Sequence, residues 1–302
     1  MSLNAFTSPD ADVSIAAPLI RALLQEQFPE AAHLPIHIVE AGWDNVMARL
    51  GDDLAVRLPR RALGEPRIRA EQLWLPYLAS RISIAIPELI KVGVPCALYP
   101  FHWSVQRWLP GEAGDLSPPA DSEALVLAKF LKQLHALPLP DGLKPNPNRS
   151  HPLSDRKDSV ADIMISLRGE TDIVTPAVEA VWEAALAAPI DLPPTWIAGD
   201  IHARNVLVQD GKISAFIDWG DQCPGDPATD LSSIWSLFDT ASARRQVETL
   251  YDMSEPTITR AKGWAVFYGL FLTVTGRKDT PRHAKMGEAI LRRISEDSPI
   301  KG

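Results

Sequence analysis

The stretch TWIAGDIHARNVLVQDGKISAFIDWGD, residues 195–221, carries Asp200, His202, Asn205, Asp218 and Asp221 between runs of β-forming apolar residues. WIAGD and NVLVQDGKISAFIDWGD read as strands, with Gln209-Asp210-Gly211-Lys212 as a hairpin turn, because Asp-Gly suits the two consecutive positive φ angles such a turn needs. Asp200 then follows a loop-entry strand, Asn205 opens the hairpin and Asp218 ends its second strand. Strand pairing predicts Asn205 and Asp218 together at the open end, with Asp200 beside them. Such residues serve as backbone caps in surface turns, as metal ligands or as acid/base groups. Oxygen donors converging this way suit a hard cation such as Mg2+, which takes one or two carboxylates plus phosphates and water. A carboxylate left over could accept a proton from a nucleophile, the combination phosphoryl transfer requires.

The rest of the chain bounds these options. Its 302 residues are enough for two unequal lobes around sizeable cores, and 46% hydrophobic with 23% charged residues describes a globular protein. Cys96 and Cys223 lack metal or disulfide spacing, which fits a reducing cytoplasm. MSLNAFTSPDADVS has no basic region ahead of an apolar run and does not read as a secretory signal. WAVFYGLFLTVT (264–275) is too short to cross a bilayer and reads as a buried core helix, so no membrane partner is expected. A net charge of -8 argues against a nucleic-acid partner. That charge is uneven, about -1 over residues 1–110 and -7 beyond, which suggests either a cleft for cationic substrates or an acidic solvated surface.

Along the chain, SIAAPLIRALLQEQF (14–28) has helical spacing of Leu19, Leu23 and Phe28, with Pro29 as a stop. Residues 36–61 give three short strands, the second and third joined at Gly51-Asp52-Asp53. Helical spacing returns from Arg67 to Leu75, where Pro76 predicts a break or kink. A strand-like run from Tyr99 ends at Pro110-Gly111, which predicts a boundary between an N-terminal lobe (1–110) and a C-terminal lobe (111–302). Residues 121–138 form a leucine-striped helix capped by Ser or Asp, 141–155 a Pro/Asn/Ser-rich surface loop, and the pattern after 230 is helical.

AGDIHARN followed by IDWGD resembles the HGDxxxxN and IDxxD signatures of the aminoglycoside phosphotransferase family. The resemblance covers most of the chain: GWDNVMARLGDDLAVRLPR, RAEQLWLPYL, SVQRWLPGE and LKQLHALP precede the window in order, and GDPATDL follows it. It implies an α+β, bilobal protein-kinase-like fold, with a small β-rich N-terminal lobe binding the nucleotide and a larger, mainly helical lobe for catalysis and substrate. By the same resemblance Asp200 is the catalytic carboxylate that accepts the proton of a substrate hydroxyl, and Asn205 and Asp218 hold Mg2+ against the phosphates of ATP or GTP. Gly42 in AGWDN covers the phosphates, Arg57 contacts them with Glu71 as its ion-pair partner, and the backbones of Arg107 and Leu109 meet the nucleobase. Arg57 departs from the usual lysine, offering a planar fork in place of a point charge. Ala198 departs from the usual histidine. Asp221, Asp226 and Asp230 read as structural, with Asp226 a helix cap before Pro227, and His202 as loop-stabilising.

The short WGDQCPGD link between Asp218 and PATDL leaves no room for the long activation segment of a protein kinase. A small hydroxylated acceptor is therefore expected, with aminoglycosides and other cationic compounds among the candidates. The alternatives are a catalytically impaired nucleotide-binding regulatory protein of the same fold, and a Mg2+-dependent phosphate hydrolase.

Overall fold

The computed structural model describes residues 9–298, so the first residues of the N-terminal stretch lie outside it. The chain divides into two compact units. One comprises Pro9–Pro110 together with Ala215–Gly220; the other comprises Gly111–Ser214 and the chain from Asp221 onward.

In the first unit, helix α1 (Ala17–Gln27) starts with a proline in its first turn and stops at Phe28, before Pro29. It buries Ile20, Leu23 and Leu24, and Leu19 and Phe28 pack at the margin of the same core. Strands β1 (Ile36–Ala41), β2 (Asn45–Leu50) and β3 (Leu54–Pro59) form an antiparallel meander. Gly51 sits at φ 61° in the β2–β3 turn, a conformation that a residue without Cβ adopts cheaply. Helix α2 (Glu65–Ala79) continues through Pro76, so the chain does not break there. The proline removes a single backbone donor in the last turn, and the burial of Leu75 and Leu78 on either side holds that turn in place. Strand β4 (Leu89–Gly93) and strand β5 (Trp103–Arg107) complete a five-stranded sheet ordered β1-β2-β3-β5-β4. The strand expected from Tyr99 begins only at Trp103, because Tyr99 pairs locally with Cys96.

The second unit opens with β6 (Glu112–Ala113) and continues with α3 (Ala124–His135), α4 (Lys157–Arg168) and α5 (Pro176–Ala187). No side chain caps α3. Glu123, at its N-cap, instead accepts the Ile213 N–H at 3.0 Å, and Asp121 accepts from Thr240. Strand β7 (Thr195–Ile197) follows, then the hairpin of β8 (Val206–Gln209) and β9 (Lys212–Phe216). Asp210 and Gly211 at φ 52° and 75° make its turn, as the Asp-Gly pair predicts. Strands β6, β8 and β9 form one small sheet, and β10 (Cys223–Gly225) pairs antiparallel with β7.

The remainder is helical: α6 (Ala228–Leu231), α7 (Ile234–Leu237), α8 (Ala241–Tyr251), α9 (Glu255–Gly276) and α10 (Pro281–Asp297). Helix α9 is the buried core helix anticipated from its apolar run, with Trp264, Val266 and Leu270 inaccessible. It meets α10 backbone to backbone: a Cβ on Gly276 would lie 2.1 Å from the Ala284 nitrogen, and one on Gly287 2.4 Å from the Gly269 oxygen. No described helix is long and apolar enough to cross a membrane.

Candidate active site

In the first unit three charged side chains converge. Arg57 on β3 is 6% exposed and Glu71 on α2 only 1%, and their charged atoms meet at 3.3 Å. The Arg57 guanidinium also reaches the Asp218 carboxylate at 2.5 Å. The Trp219 N–H donates to the second Glu71 oxygen at 2.9 Å, so Glu71 holds both β3 and the returning 215–220 segment. Burial pushes the Glu71 carboxyl up to about 7; Arg57 opposes the rise and Asp218 adds to it. Asp218 stands at φ 61°, in the left-handed region that Asp tolerates better than most residues, and its side chain remains 41% exposed.

The other expected nucleotide contacts are partly committed to the fold. The Gly42 N–H donates to the Asn45 oxygen at 2.8 Å and closes the β1–β2 hairpin, so it is not free to face a phosphate. Asp44 in the same turn binds Arg61 at 3.3 Å and also pairs with Arg67. The Arg107 N–H donates to Glu88 and its guanidinium pairs with the Glu88 carboxylate at 3.0 Å. Trp108 N–H donates to the Asp53 oxygen, and Leu109 follows half-buried.

In the second unit, β7 delivers Ala198-Gly199-Asp200 into a loop clamped from behind. The carboxylate of Asp230, 0% exposed on α6, accepts the N–H groups of Ala198 and Gly199 at 2.7 and 2.8 Å. Its Oδ2 oxygen also lies 3.3 Å from His135 Nε2, and His135 Nδ1 lies 2.8 Å from the Tyr251 hydroxyl. Tyr268 donates to the Gly199 carbonyl at 2.9 Å, and the Asn205 amide donates to the Asp200 carbonyl at 2.9 Å. Gly199 takes φ 83°, and a Cβ there would lie 2.7 Å from the Asp221 oxygen. With its backbone fixed, Asp200 presents a carboxylate that is 24% exposed, 2.8 Å from Arg149 and 3.7 Å from His202.

Sequence reading missed Arg149, Asn146, His135 and Tyr268. Arg149 and Asn146 lie in a Pro/Asn/Ser-rich segment read as a surface loop, yet Asn146 donates to the Asp221 carboxylate at 3.1 Å and Arg149 pairs with it at 3.0 Å. Asp226 caps the Ala228 N–H at 3.0 Å and also takes a two-pronged ion pair from Arg260. Part of the acidity of this unit is paired in place: Arg260 also binds Asp191, Arg282 binds Asp115, Arg244 binds Asp297, and Arg292 and Arg293 bind Asp239. Net charge therefore says little about an open cationic subsite.

Taken separately, Asn205 in the second unit and Asp218 in the first each carry an oxygen donor of the kind Mg2+ takes. The Asn205 amide nitrogen is spent on Asp200, which directs its carbonyl oxygen elsewhere, and Asp218 keeps an accessible carboxylate.

A five-stranded antiparallel sheet with helices α1 and α2 packed against it, followed by a helical unit that holds a carboxylate-bearing loop and a hairpin, is a protein-kinase-like architecture. A family model described as the phosphotransferase enzyme family matches residues 35–264. The aminoglycoside 3'-phosphotransferase of Escherichia coli is 23% identical over 215 residues, covering 68% of this chain and 77% of that protein. The uncharacterized protein YcbJ of Bacillus subtilis is 25% identical over 233 residues, covering 71% and 74%. Among solved structures, the GDP complex of aminoglycoside 2'-phosphotransferase-IIIa aligns with a TM-score of 0.68 at 17% identity, covering 92% of this chain and 98% of that one. The macrolide 2'-phosphotransferase MphH from Brachybacterium faecium aligns with a TM-score of 0.58 at 21% identity, covering 94% and 98%. The chain belongs to the phosphotransferase enzyme family, that of the aminoglycoside phosphotransferases, whose members are enzymes transferring phosphate to hydroxyl groups of small molecules.

Proposed function

We propose that this enzyme moves the γ-phosphate of ATP or GTP to a hydroxyl of a small molecule, with Asp200 as the base and Asn205 and Asp218 as the ligands of Mg2+. The observation that carries the reading is the clamped loop: Asp230, Asn205 and Tyr268 fix the Asp200 backbone while its carboxylate stays accessible. A carboxylate held this way can orient a hydroxyl and take its proton without reorganising. Bound Mg2+ supplies charge neutralisation at the phosphates. Arg57 offers its cation to the same phosphates and Glu71 keeps it oriented, while Gly42 shapes the turn over the phosphates and Arg107 and Leu109 lie along the nucleobase.

A nucleotide donor is supported by solved relatives described as complexes with GDP, ADP and, together with streptomycin, ATP. The acceptor classes to test first are those of the named relatives, aminoglycosides and macrolides, followed by neutral and anionic hydroxylated metabolites. One observation favours the second reading, a nucleotide-binding regulatory protein: Asp218 is already engaged by Arg57 at 2.5 Å. A Mg2+-dependent nucleotide-consumption screen with ATP and GTP across these acceptors separates the two. Acceptor-stimulated turnover is expected, and tight nucleotide binding with no turnover on any acceptor would leave the regulatory reading standing.

A further inference from the structure

Arg149 has no place in the signatures that identify the family in this chain, yet its guanidinium contacts Asp200. One of its terminal nitrogens lies 2.8 Å from an Asp200 oxygen and 3.0 Å from an Asp221 oxygen, so a single N–H-bearing atom bridges two carboxylates. The side chain is 15% exposed, and its guanidinium carbon sits 5.3 Å from the centre of the Tyr268 ring. Burial opposes the charge, but Tyr268, Asp200 and Asp221 more than offset it and hold the guanidinium cationic well beyond its ordinary range.

The segment that carries Arg149 is built to hold it. Asn146 accepts the N–H groups of Arg149 and Ser150 on its carbonyl and that of Asn148 on its side chain, and its own N–H donates to the Ser150 hydroxyl. The Ser150 hydroxyl donates to the Pro224 carbonyl at 2.6 Å, tying the loop to β10. Asn146 further holds Asp221 through the carboxylate oxygen that Arg149 does not pair with. Across the contact, a Cβ on Gly199 would lie 3.2 Å from Arg149 Cγ, so the glycine gives the arginine room to pass.

We propose that Arg149 is a positioning residue: it locks the rotamer of the Asp200 carboxylate, with Asp221 and Asn146 setting the guanidinium and Tyr268 supporting its face. The proposal rests on Asp200 being the base. Arginine suits this task because its planar fork keeps a fixed direction toward one carboxylate while paired with another, which an ammonium group on a flexible stem does not. A carboxylate free to rotate would still bind the acceptor but would spend less time facing its hydroxyl, so the loss falls on kcat.

The test is a double-mutant cycle on the full chain, with Mg·ATP and Mg·GTP as donors and kanamycin, erythromycin, ethanolamine and glycerate as acceptors. Arg149→Met is expected to lower kcat by about 10- to 100-fold with nucleotide KM unchanged, and Arg149→Lys to recover part of that loss. In an Asp200→Asn background the same Arg149→Met change should cost nothing further, because the arginine acts through the carboxylate. An equal loss in both backgrounds, or a rise in nucleotide KM alone, would overturn the proposal. Unchanged turnover in Asp200→Asn, or no turnover by the unmodified enzyme with any acceptor, removes the base assignment itself and the proposal with it. Should Arg149→Met fail to show native circular dichroism, Arg149→Lys in both backgrounds closes the cycle with the same two outcomes.

Discussion

Arg57 and Asp218 are separated by 161 positions in the chain and by 2.5 Å in space. Asp218 follows the β8–β9 hairpin, whose first strand and turn belong to the second unit, yet residues 215–220 belong with the first. The reason is electrostatic and local. Arg57 takes the Asp218 carboxylate, and Glu71 takes both Arg57 and the Trp219 N–H.

That triad predicts the behaviour of Asp218→Ala. Its loss frees a buried guanidinium still paired to Glu71, so the fold should persist with a destabilisation of about 1–3 kcal/mol. Mg2+-nucleotide affinity should fall by tenfold or more in calorimetric titration. Equal affinity in the variant would overturn the ligand assignment.

Asp200→Asn should separate binding from chemistry. The amide keeps the side-chain shape but cannot take a proton, so turnover is expected to drop by about 10²–10⁴-fold while Mg2+-nucleotide binding holds. Stopped-time product assays beside a binding titration read both quantities. Wild-type turnover would remove Asp200 as the base.

Asp230→Asn probes the clamp behind the loop. The substitution replaces one of two acceptor oxygens with a donor facing a backbone N–H, in a site with no solvent to compensate. A loss of about 2–4 kcal/mol in urea unfolding is expected. Activity should fall as well, because Gly199 and Asp200 lose their fixed backbone. Wild-type stability together with wild-type kcat would contradict the role assigned to the carboxylate.

His283 gives the fold an acid limit. Burial, with Arg204, His202 and Arg282 nearby and Asp115 opposing, pushes its imidazole down to about 4. An unfolded chain takes up the proton near pH 6.5, whereas the folded chain resists until about pH 4. The stabilising contribution is therefore complete above pH 6.5 and is lost as pH falls through that window. His283→Gln should flatten this part of the Tm-versus-pH curve, with each kcal/mol recovered worth about 2–4 °C. Parallel curves for the two proteins would exclude His283 as the source.

Much of this was legible because local rules and tertiary packing agree. The Asp-Gly turn, the β1–β3 meander and the apolar run of α9 each follow from patterns with a single low-energy solution. Pro76 does not break α2, because the burial of Leu75 and Leu78 on either side holds the last turn in place. Arg149 and Asn146 were hidden for a different reason. Loop composition reports turn propensity, whereas their role comes from contacts to Asp200 and Asp221 many tens of residues away. Gly42 and Arg107 show the converse: their motifs are recognisable, but their N–H groups are spent within the sheet that displays them.

The chain of contacts from the buried Asp230 and His135 to the half-buried Tyr251 anchors the Asp200 loop to α3 and α8. The placement of the carboxylate proposed as the base is thus inherited from the scaffold and owes nothing to whichever molecule lies in front of it. With Asp200 as the base, residues that choose the acceptor could be exchanged while its aim stays the same, and one framework could be refitted to new alcohols without rebuilding its chemistry.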